Sequence, residues 1–176
     1  MIDFLKSSET PDLHSISFTG GEPLLQASFI EELCLETPYQ TYLETNGTLP
    51  EKALKLAPYI DFACVDIKDE TALPYKNQES LVNKEFETID ILKNAGARVF
   101  AKIVVTPNSS PLLISDIAKH LSEIGTPLAI QPVTVSNKKD RIRPEQLFKL
   151  SEAASQYLSA DDITLSLQTH KYYGIM

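Results

Sequence analysis

The stretch SFTGGEPLLQ, residues 17–26, joins an apolar, strand-like run to the start of a helix. Its two adjacent glycines, Gly20 and Gly21, can adopt backbone angles that other residues avoid, and they let a ligand approach the main chain closely. Pro23 suits the first position of a helix, and the free N–H groups at such an end attract anions. The stretch therefore predicts a strand–turn–helix unit with a binding loop at the carboxyl end of the strand.

The same alternation of strand and helix runs through the rest of the chain. Between apolar runs, side chains recur at helical spacing, with Pro50, Pro111 and Pro144 at helix starts and Gly96 and Gly125 at helix ends. Short connections between alternating elements predict an α/β fold with a mainly parallel sheet. Runs rich in Val, Ile, Phe and Thr predict six strands: His14–Thr19, Thr41–Glu44, Phe62–Ile67, Arg98–Thr106, Leu128–Val133 and Thr164–Gln168.

Length and composition are those of an ordinary globular chain. Residues 1–176 are 43% hydrophobic and 23% charged and contain no linker or repeat, so we expect a single domain. The net charge of −8 repels phosphate backbones and anionic membranes, which argues against nucleic-acid and membrane partners. No apolar run reaches the roughly 20 residues of a spanning helix, and no signal-peptide core is present. We therefore expect a cytoplasmic protein.

Most polar residues that suit ligand binding follow directly after predicted strands. Because the carboxyl ends of parallel strands meet at one edge of a sheet, we expect these residues along a common rim. They are Thr19–Pro23, Glu44–Gly47, Asp66–Lys68, Lys102–Asn108, Gln131–Pro132 and Gln168–Lys171. The rim is the candidate site.

Each of these groups also has a purely structural explanation. The glycine pair can serve only as a turn, and Asn46-Gly47 most simply makes a tight turn with a positive φ angle. Asp66 and Lys68 lie on one face of a strand and can form a surface ion pair. Lys102 can extend its ammonium group to solvent, and His170 can be an ordinary rim histidine.

The run Gly20-Gly21-Glu22-Pro23 resembles the GGEP motif of the radical S-adenosylmethionine superfamily. This resemblance implies a partial (β/α)6 barrel in which Gly20, Gly21 and Glu22 line the methionine end of S-adenosylmethionine. The spacing of SFTGGEPLLQ and YLETNGT, and the run QTHK near the end of the chain, are similar to the 7-carboxy-7-deazaguanine synthases. That family converts 6-carboxytetrahydropterin to 7-carboxy-7-deazaguanine in queuosine- and archaeosine-type deazapurine biosynthesis.

The resemblance implies further roles, residue by residue. The pocket would also include Glu44, Thr45 and Asn46. Asp66 and Lys68 would help seat the cofactor by their resemblance to the D-x-K run of glycyl-radical activating enzymes, where the deazaguanine synthases often have a Ser-Pro-Lys type run. The substrate would contact Thr19, Gln131, Gln168, Thr169, His170 and Lys171. Amide and imidazole groups suit a pterin, whose edge alternates hydrogen-bond donors and acceptors. The family also implies an electron donor such as flavodoxin or ferredoxin and an optional Mg²⁺ ion, and an unpaired first strand would favour a homodimer.

The cysteines depart from the family pattern. Its members hold a [4Fe–4S] cluster with a CxxxCxxC loop upstream of GGEP, whereas Cys34 and Cys64 are too far apart to supply three ligands. We therefore expect a chain that lacks the first βα unit, holds no metal and is inactive as it stands. Two alternatives stay open: a glycyl-radical activating enzyme, whose D-x-K run Asp66–Lys68 resembles, and a non-catalytic remnant or binding module.

Overall fold

The computed structural model describes residues 2–69, 78–135 and 141–168, with side chains throughout except at 78–80. The strands are β1 (Ile16–Phe18), β2 (Thr41–Thr45), β3 (Phe62–Ile67), β4 (Arg98–Val105), β5 (Leu128–Pro132) and β6 (Ile163–Leu165). The α-helices are α1 (Ile2–Ser7), α2 (Ala27–Glu36), α3 (Pro50–Leu56), α4 (Gln78–Asn94), α5 (Pro111–Ile124) and α6 (Pro144–Ala154). Short 3₁₀ turns occupy Pro23–Gln26, Ala57–Tyr59 and Ala160–Asp162.

Local sequence accounts for several helix ends. Proline stands at the first position of α3, α5 and α6, where a missing N–H costs no helical hydrogen bond. The Ser110 side chain accepts a hydrogen bond from the Leu112 N–H at 3.2 Å and so caps α5. Gly125 closes the same helix in the left-handed region, with φ at 61°.

The chain divides into two compact units, and the first covers residues 2–65 and 83–99 of the described part. In this unit β1 pairs with β2, and β2 with β3, in parallel register. Alternate side chains of β2 point inward, as period-two strand geometry requires. The core of the unit includes Leu24, Leu43, Ala63, Ile89 and Leu92, all of them fully buried.

The second unit covers residues 66–69, 78–82, 100–135 and 141–168 of the described part. Here β4 pairs with β5, and β5 with β6, again in parallel register. Helix α5 packs against α6. Burial alternates along β4, and the core includes Ile103, Ile114, Leu121 and Ile130.

The predicted α/β class is confirmed, since strands alternate with helices and the pairings β1–β2, β2–β3, β4–β5 and β5–β6 are parallel. The strand order follows the chain from β1 to β6. All six predicted strands are present, although β1 and β6 are shorter than predicted, and Pro23 begins a 3₁₀ turn that precedes α2. A single domain over residues 1–176 stays a prediction. No described helix is both long and apolar enough to cross a membrane.

Candidate functional site

The loop after β1 offers an exposed main chain. Gly20 and Gly21 have φ angles of 85° and 55°, a region that favours glycine. A Cβ atom built on either residue would have no heavy atom within 4 Å. This open space beside the backbone is what the close approach of a ligand requires.

The Glu22 carboxylate ties this loop to the end of β2. Its Oε1 atom accepts hydrogen bonds from the Leu24 N–H at 3.0 Å and from the Thr45 hydroxyl at 2.7 Å. Its Oε2 atom accepts a bond from the Asn46 N–H at 2.9 Å. The first of these contacts caps the turn that begins at Pro23, and the other two join separate segments of the chain.

The predicted residues at the end of β2 lie beside this loop. Glu44 is half-buried, and its Oε2 atom accepts a hydrogen bond from the Thr19 hydroxyl at 3.3 Å. The Asn46 side-chain oxygen accepts bonds from the N–H and hydroxyl of Thr48, at 3.0 and 2.7 Å. Thr45 is only 2% exposed, and its place in a ligand pocket stays a prediction. The structure therefore brings together Thr19, Glu22, Glu44 and Asn46 within the first unit.

The second unit places two lysines around Asp66. Lys68 Nζ lies 3.4 Å from Asp66 Oδ2. Lys102 Nζ lies 3.0 Å from Oδ1, in an ion pair that lacks hydrogen-bond geometry. The Lys102 side chain is only 14% exposed, so it meets an anion here and does not extend to solvent. Asp66, Lys68 and Lys102 thus form a partly buried ionic cluster, and the cofactor role of Asp66 and Lys68 stays a prediction.

A cavity of about 420 Å³ opens at the carboxyl ends of β5 and β6, beside the start of α6. Its wall is mostly apolar, with Thr134, Arg141 and Gln168 as its polar members. The Gln168 side-chain oxygen accepts a hydrogen bond from the Thr134 hydroxyl at 2.6 Å, which leaves the amide N–H groups of Gln168 for other contacts. A large apolar cavity with a few converging polar groups is the usual form of a small-molecule site.

This cavity includes residues that sequence patterns missed. Arg141 lies outside any strand end, and Phe148 lies on an amphipathic helix, so neither stands out in a search of the rim. Gln131 is half-buried on β5 and is not among the described residues of the cavity wall. The predicted contacts Thr169, His170 and Lys171 lie outside the described residues.

The two cysteines form no disulfide with each other, and they lie on different elements. Cys64 is buried on β3, and Cys34 is half-buried on α2. Burial raises the pKa of the Cys34 thiol, and the nearby negative charge of Asp61 raises it further. A thiol that resists ionisation is a poor metal ligand, and two thiols cannot supply the three thiolates of a cluster site. The residues of this chain therefore do not fit a [4Fe–4S] cluster, whereas the open glycine backbone fits the end of a small cofactor.

Comparison with known proteins shows relatives over nearly the whole chain. A 7-carboxy-7-deazaguanine synthase of Methanocaldococcus jannaschii is 37% identical over 100% of this chain, which covers 73% of that protein. The synthase of Methanothermobacter thermautotrophicus is 34% identical over 99% of this chain, which covers 76% of it. A 4-hydroxyphenylacetate decarboxylase activating enzyme of Clostridioides difficile is 34% identical over 60% of this chain. None of the protein-family models searched matches the chain.

Solved structures show the same fold at low sequence identity. A radical SAM methyltransferase from Sphaerobacter thermophilus matches 95% of this chain with a TM-score of 0.67 and 15% identity. Native anSMEcpe with bound AdoMet matches 88% with a TM-score of 0.56. This chain spans 53% and 50% of the length of those two. With the fold, the GGEP loop and these relatives in agreement, the chain belongs to the 7-carboxy-7-deazaguanine synthase family of radical S-adenosylmethionine enzymes.

Proposed function

We propose that this chain binds S-adenosylmethionine and a pterin as part of a 7-carboxy-7-deazaguanine synthase. The substrate would be 6-carboxytetrahydropterin, and the product would be 7-carboxy-7-deazaguanine for deazapurine biosynthesis. One observation carries the proposal: archaeal synthases are 33–37% identical to the chain over 95–100% of its length. Similarity over that length spans the binding loop as well as the scaffold.

The first unit would hold the methionine end of the cofactor. The exposed backbone of Gly20 and Gly21 gives the amino-acid moiety room to approach, and the Glu22 carboxylate is suited to accept a hydrogen bond from its ammonium group. When bound and reduced, S-adenosylmethionine supplies a radical that removes hydrogen from a substrate. The work of this chain would be to bind the cofactor, orient it and exclude water.

The cavity of the second unit would hold the pterin. Its apolar wall suits a flat ring, and the side-chain amide of Gln168 can donate hydrogen bonds to the acceptors along the edge of that ring. Arg141 is the one positive side chain among the described wall residues, and it would pair with the carboxylate of the substrate. The substrate roles of Thr19, Gln131, His170 and Lys171 belong to the same proposal.

The partners and location are further parts of this proposal. An electron donor such as flavodoxin or ferredoxin would drive the reaction. Cysteines that form no disulfide suit a reducing compartment such as the cytoplasm. A homodimer would use the edge of β1 that faces away from β2, because unpaired strand edges promote association.

A second function has a specific observation in its favour. The activating enzyme of Clostridioides difficile is 34% identical to this chain over the matched part. In addition, Asp66-Ile67-Lys68 resembles the D-x-K motif of glycyl-radical activating enzymes. That match covers only 60% of the chain, compared with 95% or more for four archaeal synthases. A synthase therefore accounts for more of the sequence.

The test is turnover by the protein expressed from its complete reading frame. After anaerobic reconstitution with iron and sulfide, it is incubated with S-adenosylmethionine, a reductant and 6-carboxytetrahydropterin, and 7-carboxy-7-deazaguanine is sought by mass spectrometry. Formation of the product is expected. Formation of 5′-deoxyadenosine without the product would show active cleavage of the cofactor and would contradict the synthase. A preparation without the added pterin serves as the control.

A further inference from the structure

Thr45 is buried at the last position of β2, yet its hydroxyl contacts the candidate cofactor loop. The Oγ1 atom accepts a hydrogen bond from the Gly47 N–H at 3.1 Å and lies 2.7 Å from Glu22 Oε1. A backbone N–H can only donate, and an ionised carboxylate can only accept. The single hydroxyl proton of Thr45 must therefore point at Glu22.

This direction determines which acceptor site Glu22 can offer to a ligand. Each carboxylate oxygen accepts about two hydrogen bonds. Among the described residues, Oε1 receives two, from Leu24 and Thr45, whereas Oε2 receives one, from the Asn46 N–H. Since Glu22 is only half-buried, the remaining site on Oε2 can be reached from solvent.

The turn that directs Thr45 is itself held by close packing. A Cβ atom on Gly47 would lie 2.7 Å from Val65 Cγ1 and 3.0 Å from Glu85 Cα, so no other side chain fits there. The buried Thr88 hydroxyl donates to the Gly47 carbonyl at 2.8 Å. The position of the Gly47 N–H, and with it the direction of the Thr45 hydroxyl, is therefore set by the core of the first unit.

We infer that Thr45 is a positioning residue for the cofactor: it saturates Glu22 Oε1 and leaves Oε2 to accept from the ammonium group of the methionine moiety. The inference rests on the proposed function. It assigns a role in cofactor binding to a buried residue that does not itself touch the cofactor. Through Glu22, this residue determines how well the loop binds the amino-acid end of S-adenosylmethionine.

The test compares two ligands by isothermal titration calorimetry. S-adenosylmethionine carries the ammonium group, whereas 5′-methylthioadenosine lacks the amino-acid part. Thr45→Val should weaken the binding of S-adenosylmethionine about tenfold, which is the loss expected when a charge-assisted hydrogen bond is misdirected. The affinity for 5′-methylthioadenosine should not change. Thr45→Ser retains the hydroxyl and should stay within about twofold of the wild type. Thr48→Val removes a neighbouring hydroxyl that bonds to Asn46 and not to Glu22, so it is the matched control.

The binding stoichiometry separates positioning from simple loss of structure. If Thr45→Val only unfolds part of the protein, the number of sites falls while the dissociation constant stays the same, and the inference is wrong. Equal weakening of both ligands, or no binding of S-adenosylmethionine by the wild type, would also overturn it. Intact binding in the wild type with no turnover of the carboxypterin would refute the proposed function alone.

A measurement on the wild type does not depend on how any variant folds. The backbone N–H of Asn46 donates to Glu22 Oε2, the atom that would accept a hydrogen bond from the ligand. Its ¹⁵N–¹H resonance should shift on addition of S-adenosylmethionine and not on addition of 5′-methylthioadenosine. An unmoved Asn46 resonance at saturating S-adenosylmethionine would contradict the inference.

Discussion

Arg141 carries the positive charge among the described residues of the cavity wall, beside mostly apolar neighbours. Changing Arg141→Gln should weaken the binding of 6-carboxypterin about tenfold, because an ion pair with its carboxylate is lost. Binding of pterin without the carboxylate should not change. Both ligands are fluorescent, so titration of their emission measures the two affinities.

Lys149→Gln is the matched control for this substitution. It removes the same charge from an exposed position on α6, and Lys149 is not on the wall of this cavity. If Lys149→Gln and Arg141→Gln weaken the binding of 6-carboxypterin equally, the effect comes from the overall electrostatic field of the protein and not from a contact with Arg141.

Backbone conformation and close packing both favour glycine at position 47, and a pair of substitutions can separate the two effects. Gly47→Ala meets both a positive φ of 69° and contacts at 2.7 and 3.0 Å, whereas Gly96→Ala meets only a positive φ of 101° in open space. We expect a loss in the free energy of unfolding of about 1 kcal/mol for Gly96→Ala and about 3 kcal/mol or more for Gly47→Ala. Urea denaturation measures both, and equal losses would show that the packing around Gly47 yields to a methyl group.

At the scale of single elements, α5 shows how one helix face supports the second unit. Leu121 is fully buried, whereas Leu112 on the same helix is 77% exposed. Leu121→Ala should lower the free energy of unfolding by about 3 kcal/mol, because a cavity remains in the core. Leu112→Ala should change it by less than about 0.5 kcal/mol. Urea denaturation of the two variants tests this difference, and similar losses would place the apolar face of α5 elsewhere.

At the scale of the whole molecule, two groups make stability depend on alkaline pH. Burial, followed by the charge of Asp61, raises the pKa of Cys34 above its ordinary value of 9.0. The hydrogen bond to Glu9, donated by the Tyr39 hydroxyl at 2.9 Å, raises the pKa of Tyr39 above 10.0. Both groups hold their protons more tightly in the folded state. Their contributions are therefore fully present below those ordinary values and are lost as pH rises through the raised pKa values.

Urea denaturation between about pH 8 and 11 measures this dependence. The free energy of unfolding should fall as pH rises above about 9, and the fall should be smaller in the double variant Cys34→Ala, Tyr39→Phe. An identical slope in the wild type and the double variant would contradict the assignment of these two groups.

Much of the fold could be predicted because its signals are local. Apolar runs of strand length, prolines at helix starts and glycines at helix ends depend only on neighbouring residues, and β3 was predicted with both ends correct. The differences lie at the edges of the sheet, where β1 and β6 each pair with one described strand over three residues. Ser166, just past β6, still donates a backbone hydrogen bond to the Ile130 carbonyl at 2.9 Å, so the predicted strand fades out gradually there.

The candidate site likewise has features that local sequence predicts and features that it does not. The sequence by itself determined the GGEP loop, since the two glycines can adopt the positive φ angles of a turn and Pro23 suits the start of a helical turn, and it determined that two cysteines cannot supply three cluster ligands. Only the tertiary structure decided that Lys102 pairs with Asp66, that Thr45 is a buried support for Glu22, and that Arg141 joins Gln168 at one cavity. These relations join residues far apart in the chain, and no local pattern encodes such distances because packing of the whole core sets them.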